Sequence, residues 1–184
     1  MILPENLRQV FIVLCMVFLA GPVAADEGTT IAIIDLERVR QESSAGKSIE
    51  SQIFGYRQEL AEEVNVVEGE IRERLRSLKE QETLLTQEGY EKIRQEIEQD
   101  SVTYQTRFQS RRRNLDAAYL EAMEQLHSGI LEVLGKLIFE RHIDVVLDRR
   151  QYLVANSSFD ISDDVLRELD TILTGIPVVP APEG

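Results

Sequence analysis

Tryptophan is absent from this 184-residue chain, cysteine occurs once and proline five times, and aromatic residues make up only 6% against 29% charged. One thick globular core needs more large apolar side chains than that, so an extended or assembled architecture is expected. Bases are scarce too: 20 Lys and Arg face 33 Asp and Glu, a formal charge of −13 with a pI of about 4.6. That balance removes the sequence-independent attraction to phosphate backbones, and no nucleic-acid partner is expected. The sequence also contains no P-loop, glycine-rich dinucleotide turn, Gly-x-Ser-x-Gly or His-Glu-x-x-His. No nucleotide, cofactor or enzymatic activity is therefore expected. His127 and His142 lack a second ligand at metal spacing and are read as solvated or capping residues. Asp35, Asp144 and Asp148 flank strand-like runs. An acidic catalytic pair among them is conceivable, but acids at strand ends more often serve turns.

The first 25 residues differ from the rest. Arg8 precedes an apolar run from Val10 to Ala20, followed by Gly21-Pro22 and by Val23-Ala24-Ala25. This has the form of a secretory leader cleaved after Ala25, and the run is short for a hydrocarbon core of about 30 Å. Cleavage would remove one base, Arg8, and one acid, Glu5, so the charge would remain −13. It would also remove Cys15 and leave a mature chain without thiols, hence without disulfides or thiolate metal sites. Such a chain must be held by burial and assembly.

From Ser43 to His142 there is no proline, and apolar residues recur at Ile49, Ile53, Tyr56, Leu60, Val64, Val67, Ile71, Leu75 and Leu78. The spacing of 4, 3, 4 repeats every 11 residues, which gives a nearly straight helical seam. The same grid resumes at Ile93 and Ile97 and runs through Tyr104, Phe108, Leu115, Tyr119, Ala122, Leu126, Ile130 and Val133 to Leu137; the block Glu82, Thr86, Gly89 between them loses its apolar character. Two architectures fit, a rod of about 100 residues or a fold-back near Leu84 to Gly89. The lost block and Gly89 favour the fold-back. Seam residues would then face partners whose numbers sum to 171 or 172, such as Val64 with Phe108 and Ile53 with Tyr119. Two seam positions are charged, and each must snorkel to solvent or find a neighbour, Arg72 or Arg74 for Asp100 and Glu59 or Glu63 for Arg111. Arg111-Arg112-Arg113 otherwise reads as a helix-surface triplet forming ion pairs, and Gly55 and Gly69 are expected to let the first arm bend.

Three short β-type runs bracket this region, about residues 30–36, 143–147 and 151–156, with Asp148-Arg149-Arg150 as a hairpin turn between the last two. Ser162 is placed to cap a closing helix, and IPVVPAPEG after Gly175 reads as a disordered, proline-rich tail. The expected class is α+β, mostly α: leader 1–25, body 26–44 with strand one and a short helix, hairpin arm 45–140, body 141–173 with two strands and the closing helix, tail 174–184. So little sheet is unstable in one chain, so several copies should pool it. Ile31, Ile33, Val145, Leu147, Tyr152 and Val154 are the candidate assembly residues.

The order of elements, with Ile31-Ala-Ile-Ile-Asp35, Ile143 to Asp148, Ala155-Asn-Ser-Ser158 and Asp160 to Leu166, resembles the OmpH/Skp family of periplasmic chaperones over nearly the whole mature chain. The resemblance implies a homotrimer with a small β body and helical arms around a cavity. It also implies ATP-independent holding of unfolded outer-membrane proteins in the periplasm, with transient proximity to membranes. Better-known members are basic, whereas the apex here, Glu80 to Glu91, carries four acids and no base. Lipopolysaccharide binding and capture of anionic clients are therefore not carried over. Client contact is expected on the inner arm faces and at Leu84, Leu85 and Tyr90, which could equally serve turn packing. A structural spacer or adaptor of the envelope is the competing class.

Overall fold

A computed structural model describes residues 28–182. The expected leader and its cleavage point lie outside them. Strand β1 (Ile31–Ile34) is followed by helix α1 (Leu36–Glu42), whose cap Asp35 accepts the Arg38 N–H at 2.9 Å. Helix α2 (Ser44–Glu80) runs out and helix α3 (Gln87–Arg141) runs back. At 1.5 Å per residue these are about 55 and 80 Å long. The turn between them is Gln81–Thr86, and Thr86 caps α3 through the Gly89 N–H at 3.1 Å. Gly89 therefore lies inside the first helical turn, three residues beyond its expected place in the bend. Helix α2 is continuous through Gly55 and Gly69.

The fold-back is in the expected register. Asp100 meets Arg74 at 2.6 Å, Glu63 pairs with Arg111 and, at 3.5 Å, with Arg107, and the Tyr119 hydroxyl donates to Glu50 at 3.2 Å. Each pair falls within about three of the mirror sum. These ion pairs are exposed or half-exposed, and pairs of that kind are weak in water. They fix register more than they stabilise. The seam itself buries Ile49, Ile53, Val67 and Leu78 on α2 against Ile97, Leu115 and Ala122 on α3.

The last residue of α3's cap, His142, adopts the left-handed conformation (φ 51°) and its N–H closes onto Ile138. This turns the chain into β2 (Val145–Asp148), which lies parallel to β1 with Ile31 opposite Val145 and Ile34 opposite Asp148. Parallel neighbours need a long crossover, and here the whole helical hairpin supplies it. Helix α4 (Ser162–Ile172) closes the body. Its apolar face, Val165 and Leu169, packs into one cluster with Ala32, Ile34, Val39, Leu126, Ile130, Val133 and Leu137. The core thus sits at the root, where α3 outruns α2.

Three expectations are corrected. The run 151–156 forms no strand: a 3-10 turn at Arg149–Gln151 follows β2, a second at Ser157–Phe159 follows the run, and the sheet among the described residues has two strands. Tyr152 is extended, but the run lacks a ladder partner within the chain, and backbone without a partner stays solvated. Ser162 does not cap α4 with its hydroxyl. It accepts the Asp35 N–H at 2.9 Å and donates to Asp160 at 2.5 Å, tying the exit of β1 to the start of α4. Finally, residues 174–182 are not a loose tail. Ile176 and Val178 are each 2% exposed and belong to the core cluster, so two apolar side chains outweigh the compositional signal of the prolines.

The charges that fasten α4 give the body an acid sensitivity. The Arg141 guanidinium at 2.6 Å, helped by Arg167, holds the Asp164 carboxyl below its ordinary value of 3.8 despite partial burial. At Asp160 burial pushes upward, but the Ser162 hydroxyl and N–H outweigh it and the net shift is also downward. Both carboxyls bind protons more readily in the unfolded chain, so their stabilisation is complete above about pH 5 and is lost as pH falls through and below 3.8. The thermal midpoint followed by circular dichroism is expected to be flat from about pH 8 to 5 and to drop below pH 4, with a shallower drop in Asp164→Asn.

Candidate functional site

The arm offers two kinds of surface, its apex and the flanks of its seam. At the apex Leu84 is 83% exposed, while Leu85 in the turn and Tyr90 in the first turn of α3 are half-buried. Among the four apical acids, Glu80 meets Arg76 at 3.8 Å and Glu91 meets Arg94 at 2.9 Å. Glu82 and Glu88 have no basic partner among the described residues. The apex is therefore one exposed apolar side chain on an acidic knob, with Leu85 and Tyr90 half-buried beside it.

Midway along the arm the seam is underfilled. Leu60 is only half-buried there, and the guanidinium of Arg111, which faces it in the mirror register, pairs with Glu63. A cleft opens on either flank. One, of about 530 Å³, is floored by Leu60, Val64, Phe108 and Leu115 and rimmed by Arg57, Arg112 and Asp116. The other, of about 410 Å³, shares Leu60 and Leu115 and runs under the segment 179–182. Tyr104 stacks on Phe108 with ring centroids 6.4 Å apart, which holds that aromatic pair on one face of α3. An apolar floor with charges of both signs at the rim suits apolar segments without selecting one sequence.

The body exposes apolar surface of a different kind. Ile31 and Val145, opposite one another in the sheet, are both exposed, Leu153 is 100% and Val154 91% exposed, and Phe159 is exposed. Ile33 is buried within the chain, and Leu147 and Tyr152 are half-buried. β1 uses its second edge, since its Ile33 carbonyl accepts the Ile161 N–H, whereas among the described residues β2 is paired only with β1. Sequence reading missed a further feature. Leu120, Leu131 and Ile138 are exposed on α3, with Phe139 beside them. Their spacing of 11 and 7 places the three on one stripe, and that spacing was visible but masked by the stronger grid of the buried seam.

The acids considered for catalysis have other work. Asp35 caps α1 and meets Arg149 at 3.4 Å, and Asp148 caps the following 3-10 turn and meets Arg150 at 2.8 Å, which holds its carboxyl below the usual range. Asp144 is exposed and His127 is solvated. Among the described residues no group of three His, Cys, Asp or Glu could hold a metal ion, and no helix is long and apolar enough to cross a membrane.

Known proteins bear on this arrangement. Residues 30–169 match the model of a family described as outer membrane protein (OmpH-like). No curated protein matches the chain. Among solved structures, a protein from Caulobacter crescentus CB15 named as an OmpH-like outer membrane chaperone superposes with a TM-score of 0.79 over 84% of this chain and 92% of its own, at 18% identity. The match to the family model takes in both strands, the entire hairpin and most of α4, and the chain belongs to the OmpH-like outer membrane protein family.

Proposed function

We propose that the protein is a periplasmic, ATP-independent holdase that binds unfolded outer-membrane proteins and keeps them from aggregating, working as a homotrimer after cleavage of its leader following Ala25. The observation that carries this reading is the arm. A two-helix limb stands clear of the core and carries a cleft floored by Leu60, Val64, Phe108 and Leu115 that its own chain leaves unfilled. Family membership and the leader-like first 25 residues support export and an outer-membrane client. Bare apolar surface on the body, with the open edge of β2, supports assembly from copies of the chain: large exposed apolar surface marks an interaction site, and an unpaired strand edge invites another strand.

Holding differs from folding in needing weak contacts in number. Several arms each offering a shallow apolar cleft would retain an unfolded chain by avidity while letting each contact exchange. No nucleotide enters that scheme. The acidic apex argues against anionic lipid as the partner, since Glu82 and Glu88 would repel it.

The test is dilution of a urea-unfolded outer-membrane barrel protein into buffer, followed by light scattering. At about one trimer per client the scattering is expected to fall several-fold, equally with and without ATP. A spacer that only bridges fixed envelope components would leave the scattering unchanged, and that result would remove the holdase reading.

A further inference from the structure

Residues 174–182 lie along the arm root as an extended strap, and the way they are held is informative. The side-chain amide of Gln52 donates to the Ile176 carbonyl at 2.8 Å and accepts the Val178 N–H at 3.0 Å. Asn114 donates to the Ala181 carbonyl at 3.2 Å. All three bonds are to the strap's main chain. The side chains that are buried, Ile176 and Val178, alternate with Pro177 and Val179, which are exposed. The groove therefore reads an extended backbone with an apolar residue at every second position, and it reads no particular sequence.

That is the description of a transmembrane β-strand before insertion, which alternates apolar and polar residues along an extended chain. We infer that this groove is a client site occupied in the resting protein by the chain's own strap, and that an unfolded outer-membrane strand competes with the strap for it. The inference rests on the proposed holdase function. The strap has the character of a displaceable occupant. Its hold is two buried side chains and three hydrogen bonds, set against the entropy of ordering nine residues, two terms of similar size. Its prolines lower that entropy by holding the chain extended, but they lack N–H groups and cannot add to a ladder. Beyond Val178 one bond, from Asn114 to the Ala181 carbonyl, holds the strap, and the 410 Å³ cleft under it is open.

A reversible lock tests this in the full mature chain. A Cβ built on Gly175 would sit 3.7 Å from the Ser48 Cβ, within the range a disulfide spans, and the mature chain has no other thiol. In Ser48→Cys/Gly175→Cys, oxidation would pin the strap and reduction would release it. The probe is a fluorescein-labelled peptide of alternating valine and threonine, followed by anisotropy, with aggregation of the urea-unfolded barrel protein measured in parallel. The reduced protein is expected to bind the peptide at least tenfold more tightly than the oxidised one, and Gln52→Leu to weaken binding to the reduced protein by a similar factor. Equal peptide affinity in the two redox forms would overturn the inference while leaving the holdase reading intact if both forms still suppress aggregation. Failure of both forms to suppress aggregation would instead overturn the holdase reading, and this inference with it.

Discussion

Gly46→Ala is expected to destabilise the protein by at least about 3 kcal/mol and to lower its thermal midpoint by about 6 °C or more. Helices α1 and α2 meet at a corner one residue wide. Ser43 is fully buried there, its N–H bonds to the Val39 carbonyl and its hydroxyl accepts the Gly46 N–H at 3.1 Å. The preceding helix comes so close that a Cβ on Gly46 would lie 1.8 Å from the Arg40 carbonyl oxygen and 3.0 Å from its carbon. Those are backbone atoms and cannot rotate away. Relief would require α1 and α2 to move apart, although the start of α2 is tied to α4 by the Asp170 carboxylate, which accepts the Ser44 N–H at 2.8 Å. The same substitution at Gly55 or Gly69 should do the opposite. Neither would bring a Cβ within 4 Å of another atom, so alanine there adds helix propensity and narrows the unfolded ensemble, a gain of about 0.5–1 kcal/mol each. Thermal unfolding of the three variants side by side checks the contrast. A neutral Gly46→Ala would show that the corner is not the constraint it is taken to be.

That contrast also marks where sequence reading reached and where it stopped. The hairpin was legible because its signal is periodic: a 4, 3, 4 spacing interrupted once permits a bend and sets its register, and of the candidate partners Arg72 or Arg74 for Asp100 and Glu59 or Glu63 for Arg111 the fold uses Arg74 and Glu63. Gly46 was not legible, since one glycine in a helix is the same letter whether it faces water or a neighbouring carbonyl. The strap at 174–182 was misread for a related reason. Its composition speaks for disorder, while its fate depends on Gln52, more than 120 residues away in sequence, presenting both halves of an amide to it. The expected strand at 151–156 failed differently. Its residues have the propensity, but a strand is a pairing, and nothing among the described residues offers Leu153 and Val154 a ladder. For the candidate site, the seam between the two helices was legible as a location. The clefts beside Leu60 were not, because how side chains fill the space around Leu60 and Leu115 is not written in their spacing. The exposed stripe of Leu120, Leu131 and Ile138 could have been counted from sequence.

Leu153→Asp combined with Val154→Asp is expected to shift the trimer–monomer midpoint at least a hundredfold toward monomer, as read by sedimentation or native mass spectrometry of the mature chain. Both side chains stand almost wholly in water in the single chain, so replacing them leaves the fold of one copy unaffected. In an assembly whose body is pooled from several copies they would be covered, and each would contribute about 1.5–3 kcal/mol by burial. Losing even the lower figure from each of two residues is about 3 kcal/mol, or roughly two decades in the equilibrium constant. Burying carboxylates in their place adds a desolvation cost in the same direction. Leu84→Ser is the matched control. Leu84 is nearly as exposed, yet it lies at the tip of the arm, some 60 Å from the root by helix length, and its loss should leave the midpoint unchanged. The functional consequence follows from avidity. In the proposed holdase one arm would offer a client only a shallow cleft, so a dissociated protomer should lose most of its suppression of aggregation while keeping its helical content. A wild-type chain that is monomeric at micromolar concentration would overturn the assembly, and an assembled chain indifferent to the two aspartates would place its interface elsewhere, on the α3 stripe.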